Sequence, residues 1–173
     1  MVLSKKRITL SANDTAQIRN LYEEAFPSNE RIGWERLLTD LPNVEFYAYY
    51  DGDEFVGLTY TYRKSSIVWW FYFAVKSELR GRGYGTEMLK MVSAQYQDDV
   101  LMMDIEDPKQ DADNKAQRVR RYNFYKQMGF QDTEAAKQFD DLRMIILSKG
   151  GIISQADYEM MLDDIWKVYF GEE

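Results

Sequence analysis

Between residues 80 and 85 the chain reads Arg-Gly-Arg-Gly-Tyr-Gly, three glycines alternating with cationic and aromatic side chains. Glycine lets a backbone come close to a ligand and adopt positive φ. Arg80 and Arg82 add guanidinium groups beside the same turn. The chemistry open to such a turn is anion binding, provided that the flanking elements aim its backbone N–H groups outward. Those elements are legible. Ile67 to Val75 is an unbroken aromatic and β-branched run, which suits a strand buried on both faces. After the glycines, Met88, Leu89, Val92 and Tyr96 recur at helical spacing, so a helix starts close to Tyr84. The first N–H groups of a helix lack internal acceptors, and the helix dipole favours negative charge there. A solvated turn between strand and helix is the plain alternative.

Two common phosphate loops do not fit. A Walker A loop ends in Gly-Lys-Ser/Thr, whereas Gly85-Thr86-Glu87 has no lysine. The dinucleotide pattern places two residues between its second and third glycines, and here there is one. The arrangement present, Arg80-x-x-Gly83-x-Gly85, resembles the acyl-CoA pyrophosphate loop of the GNAT superfamily of N-acetyltransferases. The resemblance implies that Arg80, Gly81, Arg82, Gly83, Tyr84, Gly85 and Thr86 hold the diphosphate of acetyl-CoA. It also implies a splayed preceding strand, whose backbone at Phe73 and Val75 binds the pantetheine arm.

Composition narrows what else the chain can do. Its 173 residues suit one compact domain, and an apolar fraction of 45% allows a full core. A net charge of −7 argues against nucleic acid as the main partner and mildly favours a cationic substrate. Without cysteine there is no thiolate nucleophile, zinc-thiolate site or disulfide framework. Without histidine the commonest general base and metal ligand is missing too, so no metal is expected. Proton transfer falls to a carboxylate, a tyrosine, a lysine or water. The apolar runs are too short to span a bilayer and the start of the chain carries no secretory segment, so a cytoplasmic protein without membrane contact is expected.

The remaining elements follow in order. Arg7 to Leu10 is a strand candidate, and Asn13 or Asp14 is placed to cap a helix bearing Ile18, Leu21, Tyr22, Ala25 and Phe26, ended by Pro27. Trp34, Leu37 and Leu38 indicate a second short helix. Val44 to Tyr50 and Phe55 to Tyr62 form a hairpin about Asp51-Gly52-Asp53, with Gly57 where a bulge or close backbone approach fits. Val100 to Ile105 is a further strand, parallel to its predecessor across the loop helix. By the resemblance, the first two helices form one wall of the acceptor site. Glu30, Arg31 and Trp34 are then substrate-side residues, against the alternative that the charges are solvated and Trp34 is core.

A second motif lies downstream. Val119, Tyr122, Tyr125 and Met128 mark a helix that stops at Gly129. Phe124-Tyr125-Lys126-Gln127-Met128-Gly129-Phe130 resembles the family's Phe-Tyr-x-x-x-Gly-Phe, which implies that Tyr125 protonates the departing CoA thiolate. Many members carry an asparagine seven positions earlier. Here that position is Arg118, which either replaces the asparagine or reaches a phosphate of the cofactor. Among strand-end carboxylates Glu106 is the preferred base, with Asp104 two residues before it on the same strand face.

Gln131 to Phe139 and Leu142 to Ser148 form a last strand pair. Ser154 with Asp157 makes a capping box for a helix whose stripe is Tyr158, Met161, Leu162, Ile165, Trp166 and Tyr169. The expectation is a mixed α/β (α+β) fold of the GNAT type: one domain over residues 1–149, a central sheet with splayed strands flanked by helices, and an extra C-terminal helix over 150–173 packed on it. A subunit contact in a homodimer, or a flap over the acceptor groove, is the alternative use of that stripe. The implied activity is acetyl transfer from acetyl-CoA to a primary amine, on a small molecule or a peptide, by direct attack. A CoA-binding module without catalysis, acting as a sensor, is the competing class.

Overall fold

The computed structural model describes residues 1–9, 11–12, 15–28, 30–39 and 41–170. The elements are β1 (Leu3–Arg7), α1 (Ala16–Ala25), α2 (Trp34–Leu37), β2 (Val44–Asp51), β3 (Glu54–Lys64), β4 (Ile67–Val75), α3 (Tyr84–Gln95), β5 (Val100–Glu106), α4 (Lys115–Gln127), β6 (Gln131–Phe139), β7 (Leu142–Lys149) and α5 (Gln155–Phe170). This is the mixed α/β fold that the sequence implied, with strands in the order β1-β2-β3-β4-β5-β7-β6. The chain divides into two compact units: Met1–Arg63 with Trp70–Gln95, and Lys64–Trp69 with Tyr96 onward. β4 therefore contributes its first residues to one unit and its remainder to the other. Among the described residues no helix is long and apolar enough to cross a membrane.

In the first unit, the expected strand from Arg7 to Leu10 is displaced toward the N-terminus. β1 pairs antiparallel with β2 from Leu3↔Asp51 to Arg7↔Tyr47. Lysines rarely suit strands, but Lys5 sits 4.3 Å from the Tyr47 ring centroid and donates to Gln95 Oε1 at 2.6 Å. An amphipathic stem with a satisfied tip overrides its propensity. Beyond Ile8 the chain turns back, with Ala12 N–H bonding Thr9 C=O at 3.0 Å. The proposed caps Asn13 and Asp14, and Leu10, lie outside the described residues. The core is a chain of rings: Tyr22 and Phe46 flank Trp34, and Tyr60 joins Phe46 to Tyr72.

β2 and β3 are antiparallel, and their register shifts between Tyr49 and Tyr50 opposite Gly57 and Phe55. Gly57 is required there by space. A Cβ would lie 2.5 Å from the Ala74 carbonyl oxygen on β4 and 2.9 Å from the Met88 thioether on α3. The strand preceding the glycine loop and the helix following it thus meet over a residue with no side chain.

In the second unit, β5 pairs parallel with β4 through Ile67↔Val100, Val68↔Leu101 and Trp69↔Met102, and antiparallel with β7 from Leu101↔Lys149 to Glu106↔Met144. Among the described residues the parallel ladder covers those three pairs, although both strands continue past it. α5 begins with the expected capping box: Asp157 N–H donates to Ser154 Oγ and Ser154 N–H to Asp157 Oδ2, each at 3.0 Å. Its Tyr158, Met161, Ile165 and Tyr169 are buried. Tyr158 meets the Trp69 ring at 5.7 Å, and Asp164 pairs with Lys64 at 2.6 Å. Trp166, on the edge of the stripe, is 45% exposed.

Candidate active site

The glycine turn of the first unit follows from β4. Lys76 N–H bonds Val56 C=O at 2.9 Å, which continues the sheet past Val75. A single 3₁₀ turn, Ser77–Leu79, then buries Leu79 among Tyr49, Val56, Tyr84 and Met88. Gly81 and Gly83 have φ of +78° and +88°, a conformation that side-chain-bearing residues rarely adopt. The first helical bond of α3 runs from Glu87 N–H to Gly83 C=O at 3.1 Å. Arg80 N–H is engaged with Ser77 C=O at 3.4 Å. From Gly81 through Thr86, the backbone N–H groups meet no acceptor among the described residues. These are the orphan donors of a helix start, extended backward by two left-handed glycines.

The side chains around this nest divide between two jobs. Tyr84 is a structural member: its ring is 7% exposed and its hydroxyl donates to Asp51 Oδ2 at 2.7 Å, a bond that raises the phenol above its usual range. What Tyr84 presents outward is its amide. Arg80 and Arg82 are exposed and pair with no carboxylate among the described residues. Phe73 and Val75 pack partly against the cluster beneath the turn.

The expected acceptor-side residues of the same unit have unequal placements. Trp34 is 8% exposed and edge-on to Phe46 at 6.0 Å, a core position. Arg31 donates to Glu23 C=O at 3.3 Å, and the exposed Glu30 offers its carbonyl to the Tyr72 hydroxyl at 2.8 Å. Two tyrosines pin this link, since Tyr22 donates to Ile32 C=O at 2.7 Å and Ile32 N–H donates to Tyr72 Oη at 3.1 Å. Sequence reading passed over both as core aromatics. Their only signal was the number of tyrosines near a polar link.

In the second unit, α4 ends in a Schellman turn. Gly129 has φ +96°, its N–H bonds Lys126 C=O at 3.2 Å, and Phe130 N–H reaches back to Tyr125 C=O at 3.0 Å. The Tyr125 and Phe130 rings meet at 5.8 Å. The spacing Phe-Tyr-x-x-x-Gly-Phe therefore has a local physical meaning: it stops the helix and clamps the tyrosine. The Tyr125 ring is 6% exposed, and its hydroxyl has no partner among the described residues. Burial, partly offset by Arg121, pushes its pKa up to about 12, so it carries its proton at neutral pH.

Arg118 and Glu106 come together. Arg118 Nη2 lies 2.7 Å from Glu106 Oε2, and its Nε donates to Asn114 Oδ1 at 2.8 Å. Its Nη1 donates to Gln110 Oε1 at 3.1 Å and to Asp107 C=O at 3.4 Å. Asn114 Nδ2 contacts both Glu106 oxygens, at 3.4 and 3.3 Å. Gln110 also accepts from Arg143 N–H at 3.1 Å and donates to Asp141 C=O. At 8% exposure, the arginine in the asparagine position is spent on holding Glu106 and the loop that follows it. Nothing in the spacing announced this, because the partners are brought together by the turn at Pro108.

Asp104 lies on β5 opposite Ile146. It accepts from Trp69 Nε1 at 3.2 Å, and burial raises its carboxyl above the usual range against that bond and one from its own backbone.

The sequence pattern of the GNAT acetyltransferase domain matches residues 42–132, just over half of the chain. No curated protein sequence matches. Among solved structures, a GNAT family protein from Bacteroides thetaiotaomicron superposes with a TM-score of 0.79 at 22% identity, over 98% of this chain and 99% of that one. A GNAT family acetyltransferase from Elizabethkingia anophelis, solved with acetyl-CoA bound, has a TM-score of 0.61 at 17% identity, covering 85% of this chain and 97% of that one. The aminoglycoside 6'-N-acetyltransferase from Enterococcus faecium gives 0.64 at 16% identity, with 86% and 96% covered. At these identities the likeness is one of fold.

Proposed function

The chain belongs to the GNAT acetyltransferase family, and we propose that it transfers an acetyl group from acetyl-CoA to a primary amine by direct attack in a ternary complex. The observation that carries this is the row of amides from Gly81 through Thr86 that meet no acceptor among the described residues, flanked by Arg80 and Arg82. A diphosphate needs several convergent N–H donors at a helix start and cationic side chains nearby, and this turn supplies both. Absence of cysteine leaves no acyl-cysteine intermediate, which favours direct transfer. In this proposal the backbone of Phe73 and Val75 binds the pantetheine arm, and an N–H near Val75 faces the oxyanion that forms when the amine attacks. Tyr125, protonated at neutral pH and with a hydroxyl that meets no partner among the described residues, gives its proton to the departing thiolate. Glu30 and Arg31 line the acceptor side, and Trp34 supports them from the core.

A primary amine titrates near about 10.4 and must lose a proton before it attacks. The acceptor of that proton is a carboxylate of β5. Glu106 is one candidate, but protonating it would strip Arg118, itself buried, of its counter-charge. Arg118 is accordingly assigned to positioning the loop after β5 rather than to a phosphate.

The test is calorimetric titration with CoA of the native protein and of Gly83→Val. Native binding with a loss of about tenfold or more in the variant is expected, since a β-branched residue cannot hold φ near +88° without strain. Native affinity in the variant would remove the diphosphate from this turn. Release of free CoA thiol with a panel of amines separates an enzyme from a binding module.

A further inference from the structure

Tyr22 of α1 and Tyr72 of β4 are 2% and 3% exposed, and both aim their hydroxyls at the backbone of one short stretch between α1 and α2. The Tyr72 hydroxyl donates to Glu30 C=O at 2.8 Å and accepts from Ile32 N–H at 3.1 Å. The Tyr22 hydroxyl donates to Ile32 C=O at 2.7 Å. Two phenols thus hold three backbone groups on either side of Arg31. Residues 31–33 belong to no helix or strand, so no ladder fixes their backbone and side-chain bonds do so instead. Burial raises the Tyr22 phenol above its usual range, which keeps the donated proton in place at neutral pH. The Tyr72 ring meets Tyr22 at 5.0 Å, Phe26 at 4.7 Å and Tyr60 at 5.8 Å. A ring packed on several sides fixes where its hydroxyl lies, so the strand places the link. Arg31 is half-buried, and its Nη1 donates to Glu23 C=O at 3.3 Å in the last turn of α1, where a helix end favours a cation. All of these residues lie in the first unit.

We propose that Tyr72 is a positioning residue, which sets the acceptor side of the site by fixing the backbone from Glu30 to Ile32, with Tyr22 completing the clasp. The proposal rests on the acetyl-transfer reading for what binds at Glu30 and Arg31, and on these bonds for how the two are placed. Water could satisfy the same backbone groups, but it would not tie them to β4. Tyr72 immediately precedes Phe73, whose backbone that reading gives to the pantetheine arm, and successive side chains of a strand leave opposite faces. The residue that carries the donor's arm and the residue that holds the acceptor's wall are therefore neighbours on one strand. This leaves little slack between thioester and amine, where a misplacement of about 1 Å can cost about 10²-fold in rate. Neither ring touches the substrate. Both are enclosed by packing and act through the link they hold.

The experiment compares the native protein with Tyr72→Phe, Tyr22→Phe and the double variant, since phenylalanine keeps the ring and removes only the hydroxyl. Limited trypsin digestion read by mass spectrometry follows the bond between Arg31 and Ile32. Cleavage there about tenfold faster in Tyr72→Phe, with the other tryptic sites at native rates, is expected. Unchanged cleavage after Arg31 would show that the hydroxyl does not hold the link, and faster cleavage at every site would make it a support of the whole fold; either overturns the clasp. Release of free CoA thiol from acetyl-CoA is then measured with spermidine, kanamycin, n-butylamine and glycylglycine. For whichever of these the native protein acetylates, kcat/KM for the amine should fall by about tenfold in Tyr72→Phe, while KM for acetyl-CoA stays within about a factor of two. The double variant should lose little more than either single one, because the two phenols hold one span. Equal losses for the amine and acetyl-CoA, or no loss, overturn the positioning role. Calorimetry with CoA separates the two ideas. CoA binding with native amine kinetics in Tyr72→Phe removes the positioning role alone. No CoA binding by the native protein, or binding without acetylation of any of the four amines, removes the acetyl-transfer reading and the positioning role with it.

Discussion

Tyr125 joins a backbone role that the structure shows to the side-chain role proposed for it. Its carbonyl closes the helix stop at Gly129, and its ring is buried, yet its hydroxyl has no partner among the described residues. Removing that oxygen leaves the turn and the ring packing intact. Tyr125→Phe should therefore lower kcat by about 10²-fold or more while leaving CoA affinity within a factor of two of native, as roughly expected for loss of a proton donor. Stopped-flow turnover with calorimetry on the same preparation checks it. Equal turnover would make the residue structural.

Asp104 carries a stability consequence as well. Its folded pKa is raised above the unfolded value of about 3.9 by desolvation. Below that value both states hold the proton and the site costs nothing. As pH rises through the folded pKa, the carboxyl must ionise in a poor environment, so its stabilising contribution is lost. Asp104→Asn should raise Tm at pH 7 by roughly 2–4 °C and leave it unchanged near pH 3. Scanning calorimetry at the two pH values reads this. A gain of equal size at both would show that titration is not its cause.

The element that most constrains the first unit is the crossing of β3, β4 and α3 at Gly57. The Ala74 carbonyl and the Met88 thioether occupy the space that a side chain would take. Gly57→Ala should cost about 1–3 kcal/mol and, by pushing β4 from α3, weaken CoA binding without altering the glycine turn itself. Urea unfolding measures the first and calorimetry the second; native stability would mean that the two elements separate freely. Here a residue far from the glycine turn in sequence sets, through packing, how β4 meets α3.

On the scale of the whole molecule, a ligand that binds the folded state alone must stabilise it. CoA at one hundred times its dissociation constant adds about 2.7 kcal/mol, equivalent to roughly 5–10 °C in Tm for a chain of this size. A thermal scan should show the melting of the native protein move upward by that amount, and that of Gly83→Val stay near its ligand-free position. A shift of equal size in both would place CoA away from the turn. The net charge of −7 means that a polyanionic cofactor must be held by local donors against the general field. For that reason the proposal leans on the amides without acceptors among the described residues and on Arg80 and Arg82 beside them.

Much of this was readable from local pattern. The glycine turn, the helix starting at Tyr84, the stop at Gly129 and the capping box at Ser154 are written by a few adjacent residues, because capping and positive φ are local properties of the backbone. Burial of β4 was equally plain from its composition. What the residues could not announce is who meets whom across distance. Lys5 became a strand residue once Tyr47 and Gln95 received it. Trp34 went into the core, two tyrosines took hold of the link before it, and Arg118 was committed to Glu106. Charge compensation depends on three-dimensional neighbours, so only tertiary structure could distinguish the carboxylate at 106, paired with Arg118, from the one at 104, which accepts from Trp69 and pairs with no cation among the described residues.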